Sequence, residues 1–140
     1  MKDYKKQPID AETLGIKLAT RSESQSFRWL LACLLFGKPI QQAVARQAYE
    51  VLVRAQITSL NKLLKFDWHT LVTLLDQAHY VHYDFSTATK LLQVAGAVKE
   101  QYGSVTKLLQ QSSDTHDLEA RLITFKGIGP VTASIFINGV

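Results

Sequence analysis

Apolar residues recur at helical spacing along most of the chain, and no stretch alternates in the way a strand would. Asp10 can cap a short helix running to about Thr20. Ser24 or Ser26 can start the next, which carries the run Trp29-Leu30-Leu31-Ala32-Cys33-Leu34-Leu35-Phe36 and ends at Gly37-Lys38-Pro39. Proline there lacks an N–H and restricts the residue before it. A third helix is expected from about Gln41 to Arg54, with Val44, Ala48, Val51 and Leu52 on one face. Ser59 opens a short helix with Leu60, Leu63 and Leu64, and Asp67 caps another with Leu71, Leu74 and Leu75. The stretch His79-Tyr80-Val81-His82-Tyr83-Asp84 breaks the pattern and reads as a loop. Asp84 or Ser86 begins the longest helix, to about Tyr102, with Gly103 as its stop. Ser104 starts a short helix with Val105, Leu108 and Leu109, and Gln110 to Asp114 is a polar loop. His116 to Phe125 reads as helix, Lys126-Gly127-Ile128-Gly129-Pro130 as a tight turn, and a final helix starts at Pro130. The expectation is an all-α fold of many short helices packed at steep angles.

Composition narrows this only a little. The 140 residues suggest one domain and can bury a core without staples. The hydrophobic fraction of 46% and charged fraction of 20% are those of a soluble globular protein. Cys33 is the only cysteine, so there is no intramolecular disulfide and no thiolate cluster for iron and sulfur; within an apolar run it reads as a small core residue. That run is too short to cross a bilayer, and the polar start Met1-Lys2-Asp3-Tyr4-Lys5-Lys6-Gln7 lacks a signal peptide's apolar stretch. A cytoplasmic protein is expected, with no membrane partner. The net charge of +4 and pI near 9.2 permit phosphate contacts without requiring them.

The informative segment is Leu122-Ile123-Thr124-Phe125-Lys126-Gly127-Ile128-Gly129-Pro130-Val131-Thr132-Ala133. Leu122 and Phe125, three apart, share a helix face. Gly127 and Gly129 allow positive φ and leave the backbone bare. Ile128 can plug the turn between two helices, and Ala133 is small enough to let them approach. The turn leads into a helix N-terminus, whose free N–H groups favour an anion such as phosphate. Lys126 can add a positive charge. Such contacts grip backbone and carry no base information. A helix–turn–helix that needs glycine only to turn is the plainer alternative.

The segment resembles the hairpin of the helix-hairpin-helix DNA glycosylase superfamily, the endonuclease III and alkyladenine glycosylase type, whose motif typically reads Leu-Pro-Gly-(Val/Ile)-Gly-x-x-Thr-Ala. Here it is Phe125-Lys126-Gly127-Ile128-Gly129-Pro130-Val131-Thr132-Ala133. Upstream, Phe27 to Lys38 resembles the family's early helix and following loop, and Asp84 to Leu92 the start of its long central helix. Order and spacing agree over residues 26–140, with the hairpin at about 122–133 and a separate short-helix segment at 1–25.

The resemblance implies double-stranded DNA as partner, with a damaged base or abasic site, in base-excision repair. It implies that amides at Gly127, Gly129, Val131 and Thr132 hold a phosphate. It also implies a monovalent cation on the backbone carbonyls of Ile123, Phe125 and Ile128. Lyase members carry a lysine two residues after the second glycine; here that residue is Val131, so lyase chemistry is disfavoured and Lys126 does not replace it. Monofunctional members use an aspartate soon after the final helix, yet no acidic residue follows Glu119. The expectation is a piece of a monofunctional glycosylase that binds DNA without excising a base and contains no catalytic residue. A non-catalytic DNA-binding module and an α-helical protein-interaction domain are the alternatives.

The resemblance places Gly37-Lys38-Pro39 in a loop that can probe the gap left by a flipped base. Lys38 is then a contact to phosphate or to the estranged base, or else a solvated lysine in a turn. His79 and His82 lack a third metal ligand. Tyr80 and Tyr83 either face DNA or pack on the core. Trp29 and Trp68 read as core, Asp114 and Asp117 as helix caps beside His116, and Lys62, Lys65, Lys90, Lys99 and Lys107 as solvated faces. Ser24 and Ser26 have no partners for nucleophilic catalysis.

Overall fold

The computed structural model describes residues 9–140; the polar segment 1–7 read above as no signal peptide lies outside them. After two 3-10 turns, Glu12–Leu14 and Leu18–Thr20, come α1 (Glu23–Phe36), α2 (Gln42–Arg54), α3 (Leu60–Leu64), α4 (Trp68–Gln77), α5 (Asp84–Tyr102), α6 (Val105–Gln111), α7 (Thr115–Leu122) and α8 (Pro130–Gly139). There is no strand among the described residues, as expected.

The helix starts follow local chemistry. Side-chain oxygens of Ser22, Ser59, Asp67, Ser104 and Asp114 accept from backbone N–H groups in the first turns of α1, α3, α4, α6 and α7. Asp117 Oδ2 accepts from the N–H of Ser113, the residue before the cap, at 2.9 Å, which ties the entering chain to the first turn of α7. Glu23, in the first turn of α1, accepts from the Val105 and Thr106 amides and so tethers α6 to α1. Gly103, at φ 87, ends α5 where an L side chain would be strained. The expected helix from Asp10 to Thr20 is instead the pair of 3-10 turns. Asp10 does cap the Thr13 N–H at 2.8 Å, but Gly15 at φ 75 closes that turn, and Ile16 drops into the core.

Helix α1 is apolar nearly all round, and the fold surrounds it: α2, α5, α6 and α8 all pack against it. Phe27, Trp29 and Leu30 through Leu35 are buried, each large side chain contributing about 1.5–3 kcal/mol on burial. On α2 the buried stripe is Ala45, Ala48, Tyr49 and Leu52, so the expected face is rotated slightly and Val44 and Val51 sit at its half-buried edge. Trp29 Nε1 donates to the Phe136 carbonyl at 2.9 Å, binding α1 to α8.

The far end of α1 positions the site. A helix leaves its last carbonyls without partners. Here the Gly37 N–H donates to the Cys33 carbonyl, Lys90 Nζ to Leu34 at 2.9 Å, and the Tyr80 hydroxyl to Leu35 at 2.6 Å. Two side chains far along the chain, Tyr80 and Lys90, thus meet the C-terminus of α1. Burial pushes the Cys33 thiol well up, in keeping with an inert core residue.

Candidate nucleic-acid interface

The hairpin runs from the end of α7 through Phe125, Lys126 and Gly127 to Pro130, the first residue of α8. Ile128 is buried and plugs the turn as its flanking glycines suggest, while its N–H closes onto the Phe125 carbonyl at 3.1 Å. Phe125 packs edge-on to Tyr102. Ala133 is fully buried against the core.

The two glycines differ. Gly127 has φ 106, and a Cβ there would come 2.7 Å from Lys90 Cγ. Both backbone and space therefore demand glycine at 127. Gly129 has φ −99, which any residue adopts, and a Cβ there would meet nothing within 4 Å. Of the two glycines that allow positive φ, only Gly127 uses that freedom. The fold does not need glycine there; what its bare backbone leaves is room for something outside the chain to approach.

Behind Gly129 the start of α8 carries no side-chain cap. Pro130 has no N–H, and the Ala133 N–H already donates to the Gly129 carbonyl at 3.0 Å. The Val131 and Thr132 amides are the first-turn donors that remain. Val131 is 63% exposed, while Thr132 is buried with its hydroxyl against Gly37.

These groups open onto a groove with three walls. The hairpin gives Lys126, Gly127, Gly129, Pro130, Val131 and Thr132; the loop after α1 gives Gly37 and Lys38; α5 gives Ser86, Thr89, Lys90 and Gln93. The groove brings together Lys38, Lys126, Gly127, Gly129, Val131 and Thr132 from the residues singled out in the sequence, with Ile128 beneath as the plug. No acidic side chain lines it among the described residues.

Lys90 is not the solvated lysine expected from its charge. It is 8% exposed, and burial, with the Lys38 charge second, pushes its ammonium down to about 8. Helical spacing carried the signal: Lys90 lies on the face that buries Thr87, Leu91, Val94 and Val98. Lys38 Nζ lies 5.3 Å from the Tyr83 ring centroid, so this lysine rests on an aromatic face beside the groove. The choice left open for the tyrosines divides between them: Tyr80 is core and Tyr83 is half-buried next to Lys38.

Trp29 is core, whereas Trp68 is half-buried, with Nε1 donating to Thr89 Oγ1 at 3.0 Å. His79 and His82 are exposed, and no cluster of three metal-binding side chains exists among the described residues. Lys62, Lys65, Lys99 and Lys107 are exposed. Ile123 caps the C-terminal end of α7, and no described backbone bond outside the helices ends on the Ile123 or Ile128 carbonyl, whereas that of Phe125 accepts from Ile128. Among the described residues, no helix is long and apolar enough to cross a membrane.

No protein-family model and no curated protein sequence matches the chain. Among solved structures it is similar to the 3-methyladenine DNA glycosylase of H. pylori bound to 1,N6-ethenoadenine, with a TM-score of 0.65 and 18% identity. The likeness covers 92% of this chain and 64% of that one, so the chain spans less than two thirds of its structural neighbour. The fold is that of a helix-hairpin-helix DNA glycosylase.

Proposed function

We propose that this chain grips the phosphate backbone of double-stranded DNA in base-excision repair. The observation that carries the reading is Gly129: a glycine the fold does not require, at an uncapped helix start, facing a groove lined by three lysines and no carboxylate. The amides of Gly127, Gly129, Val131 and Thr132 would hold a phosphate at the positive end of α8. Lys126 and Lys38 would add charge on either side, with Lys38 placed to reach the backbone or the gap beside a displaced base. Contacts of this kind fix register and leave base choice to other parts of a protein.

A protein that contains this chain is on this reading a monofunctional glycosylase that flips a damaged base out of the duplex. The chain itself binds without excising. Val131 stands where lyase members of the resembled family carry their lysine, and the groove supplies no carboxylate to stabilise a sugar cation. Carbonyl oxygens such as those of Ile123, Phe125 and Ile128 suit a monovalent cation in donor type, and those of Ile123 and Ile128 end no described backbone bond outside the helices. Bound there, the cation would add positive charge beneath the hairpin.

The test is binding to a fluorescent duplex with an abasic-site analogue, across a salt series, with Gly129→Ala as the diagnostic variant. Salt-sensitive binding that Gly129→Ala abolishes at unchanged helix content supports the clamp. A folded wild-type chain that binds no duplex would instead favour the protein-interaction alternative. Duplexes carrying ethenoadenine or 3-methyladenine, with base release followed alongside, test whether excision is absent.

A further inference from the structure

Lys90 is the only charged side chain buried among the described residues. Its stem packs beneath Gly127 and beside Val94, and its Nζ donates to the Leu34 carbonyl. The groups that face it from the packed elements are Lys38 from the loop after α1, Lys126 from the hairpin, and the tyrosines Tyr80 and Tyr83 from the loop before α5. None of these brings a negative charge. Burying an ammonium without a counter-charge costs free energy, and a second cation nearby adds to that cost.

Capping α1 does not explain the charge. The neighbouring carbonyls of Cys33 and Leu35 are satisfied by neutral donors, the Gly37 N–H and the Tyr80 hydroxyl. A neutral donor would serve Leu34 equally. Lys90 is thus a buried cation with no counter-charge inside the fold, in the wall of a groove open to solvent, where an anion from outside would supply one.

We propose that Lys90 is a further anion-binding residue of the groove, a buried cation that meets a DNA backbone phosphate held against the hairpin amides. This deepens the clamp reading above and rests on it. Only the protonated amine serves, so a phosphate in the groove raises the proton affinity of Lys90. By linkage, duplex binding then weakens as the pH passes above the point where the free protein loses that proton.

The experiment measures affinity for the abasic-analogue duplex from pH 6.5 to 9 at fixed ionic strength, with wild type, Lys90→Met and Lys90→Arg, and follows the lysine side chains of the free protein by NMR. The expected wild-type profile is flat at low pH. It then falls with a slope approaching one proton per duplex, up to about tenfold per pH unit. Lys90→Met binds more weakly with that step gone, and Lys90→Arg keeps affinity without the step. In the free protein one lysine should titrate well below the rest and vanish in Lys90→Met. The wild-type profile needs no substitution, so it decides the matter even where Lys90→Met fails to fold. If the duplex binds and Gly129→Ala weakens it, but the wild-type affinity shows no pH step, the role of Lys90 is overturned and the clamp stands. If the folded wild type binds no duplex at any pH, the clamp reading fails first and takes this role with it, whatever the NMR titration shows.

Discussion

The hydroxyl of Thr132 occupies the space that a side chain at Gly37 would need. Gly37 lies in the loop after α1 and Thr132 in the first turn of α8, so these two walls of the groove are locked at van der Waals contact. The φ of Gly37 is −74, a value any residue adopts, so the demand at this position is for space alone.

Gly37→Ala should therefore destabilise the protein by about 1–3 kcal/mol through overpacking, with no backbone strain to add. Thr132→Ala removes the obstructing oxygen. The double variant should recover part of the loss, with a coupling of about 1 kcal/mol in a urea-unfolding cycle. Strictly additive losses would show that the contact does not fix the loop against the hairpin.

The hairpin glycines should part under mutation. Gly127→Ala places a Cβ at positive φ and against the stem of Lys90, and should cost about 1–3 kcal/mol of stability. Gly129→Ala should cost at most about 1 kcal/mol, as alanine replacing glycine at a helix start. It should nonetheless remove most duplex binding. Thermal unfolding and anisotropy on the same samples check both halves, and a Gly129→Ala protein that binds like wild type would remove the main support for the clamp.

Most of this architecture was legible because it is written in local chemistry. Ser59, Asp67, Ser104 and Asp114 announce their helices by side-chain capping, and Gly103 and Pro130 mark an end and a start. The hairpin was legible because its spacing is tied to one turn geometry. What escaped depends on tertiary placement. Nothing local distinguishes Gly127, pressed on Lys90, from Gly129, open to solvent. The charge of Lys90 suggested solvent, although its spacing to Thr87 and Val94 placed it on the buried face. The segment after Asp10 has helix-compatible spacing, yet Gly15 in the left-handed region breaks it into two turns.

Lys38 and Lys126 stand on different walls of the groove and are expected to act as independent phosphate contacts. Replacing either by methionine should lower the slope of log affinity against log salt by about 0.9. The weakening should be nearly the same for duplexes of different sequence, because backbone contacts carry no base information. If Lys38→Met leaves the slope unchanged but lowers the preference for abasic over intact duplex, its partner is the estranged base.

The C-terminal end of α1 depends on the Tyr80 hydroxyl. Tyr80→Phe leaves the Leu35 carbonyl without a donor in a fully buried site and should cost about 1–3 kcal/mol at neutral pH. The variant should also loosen the loop after α1, read as faster hydrogen exchange at Gly37, whose N–H bonds the same helix end. Unchanged stability and exchange would show that the hydroxyl bond does not hold that end together.

Stability and binding should respond to pH with opposite sign, and Lys90 is the reason. Burial holds its folded-state value near 8, whereas an unfolded lysine titrates near about 10.4. Between these values the unfolded chain carries more protons than the folded one, so unfolding free energy rises with pH. Below about 8 both states are protonated, and the cost of the buried charge is constant. The gain from pH 8 to about 10 is on the order of 2 kcal/mol. Tyr80 closes the window from above: burial pushes its hydroxyl up to about 12, so its contribution is full below about 10 and is lost as the pH rises toward 12. Urea unfolding from pH 7 to 11 should accordingly show a rise and then a fall in wild type, while Lys90→Met loses the rise and keeps the fall. Parallel curves for the two proteins would place the Lys90 ammonium in water and remove the physical basis for its role in the groove.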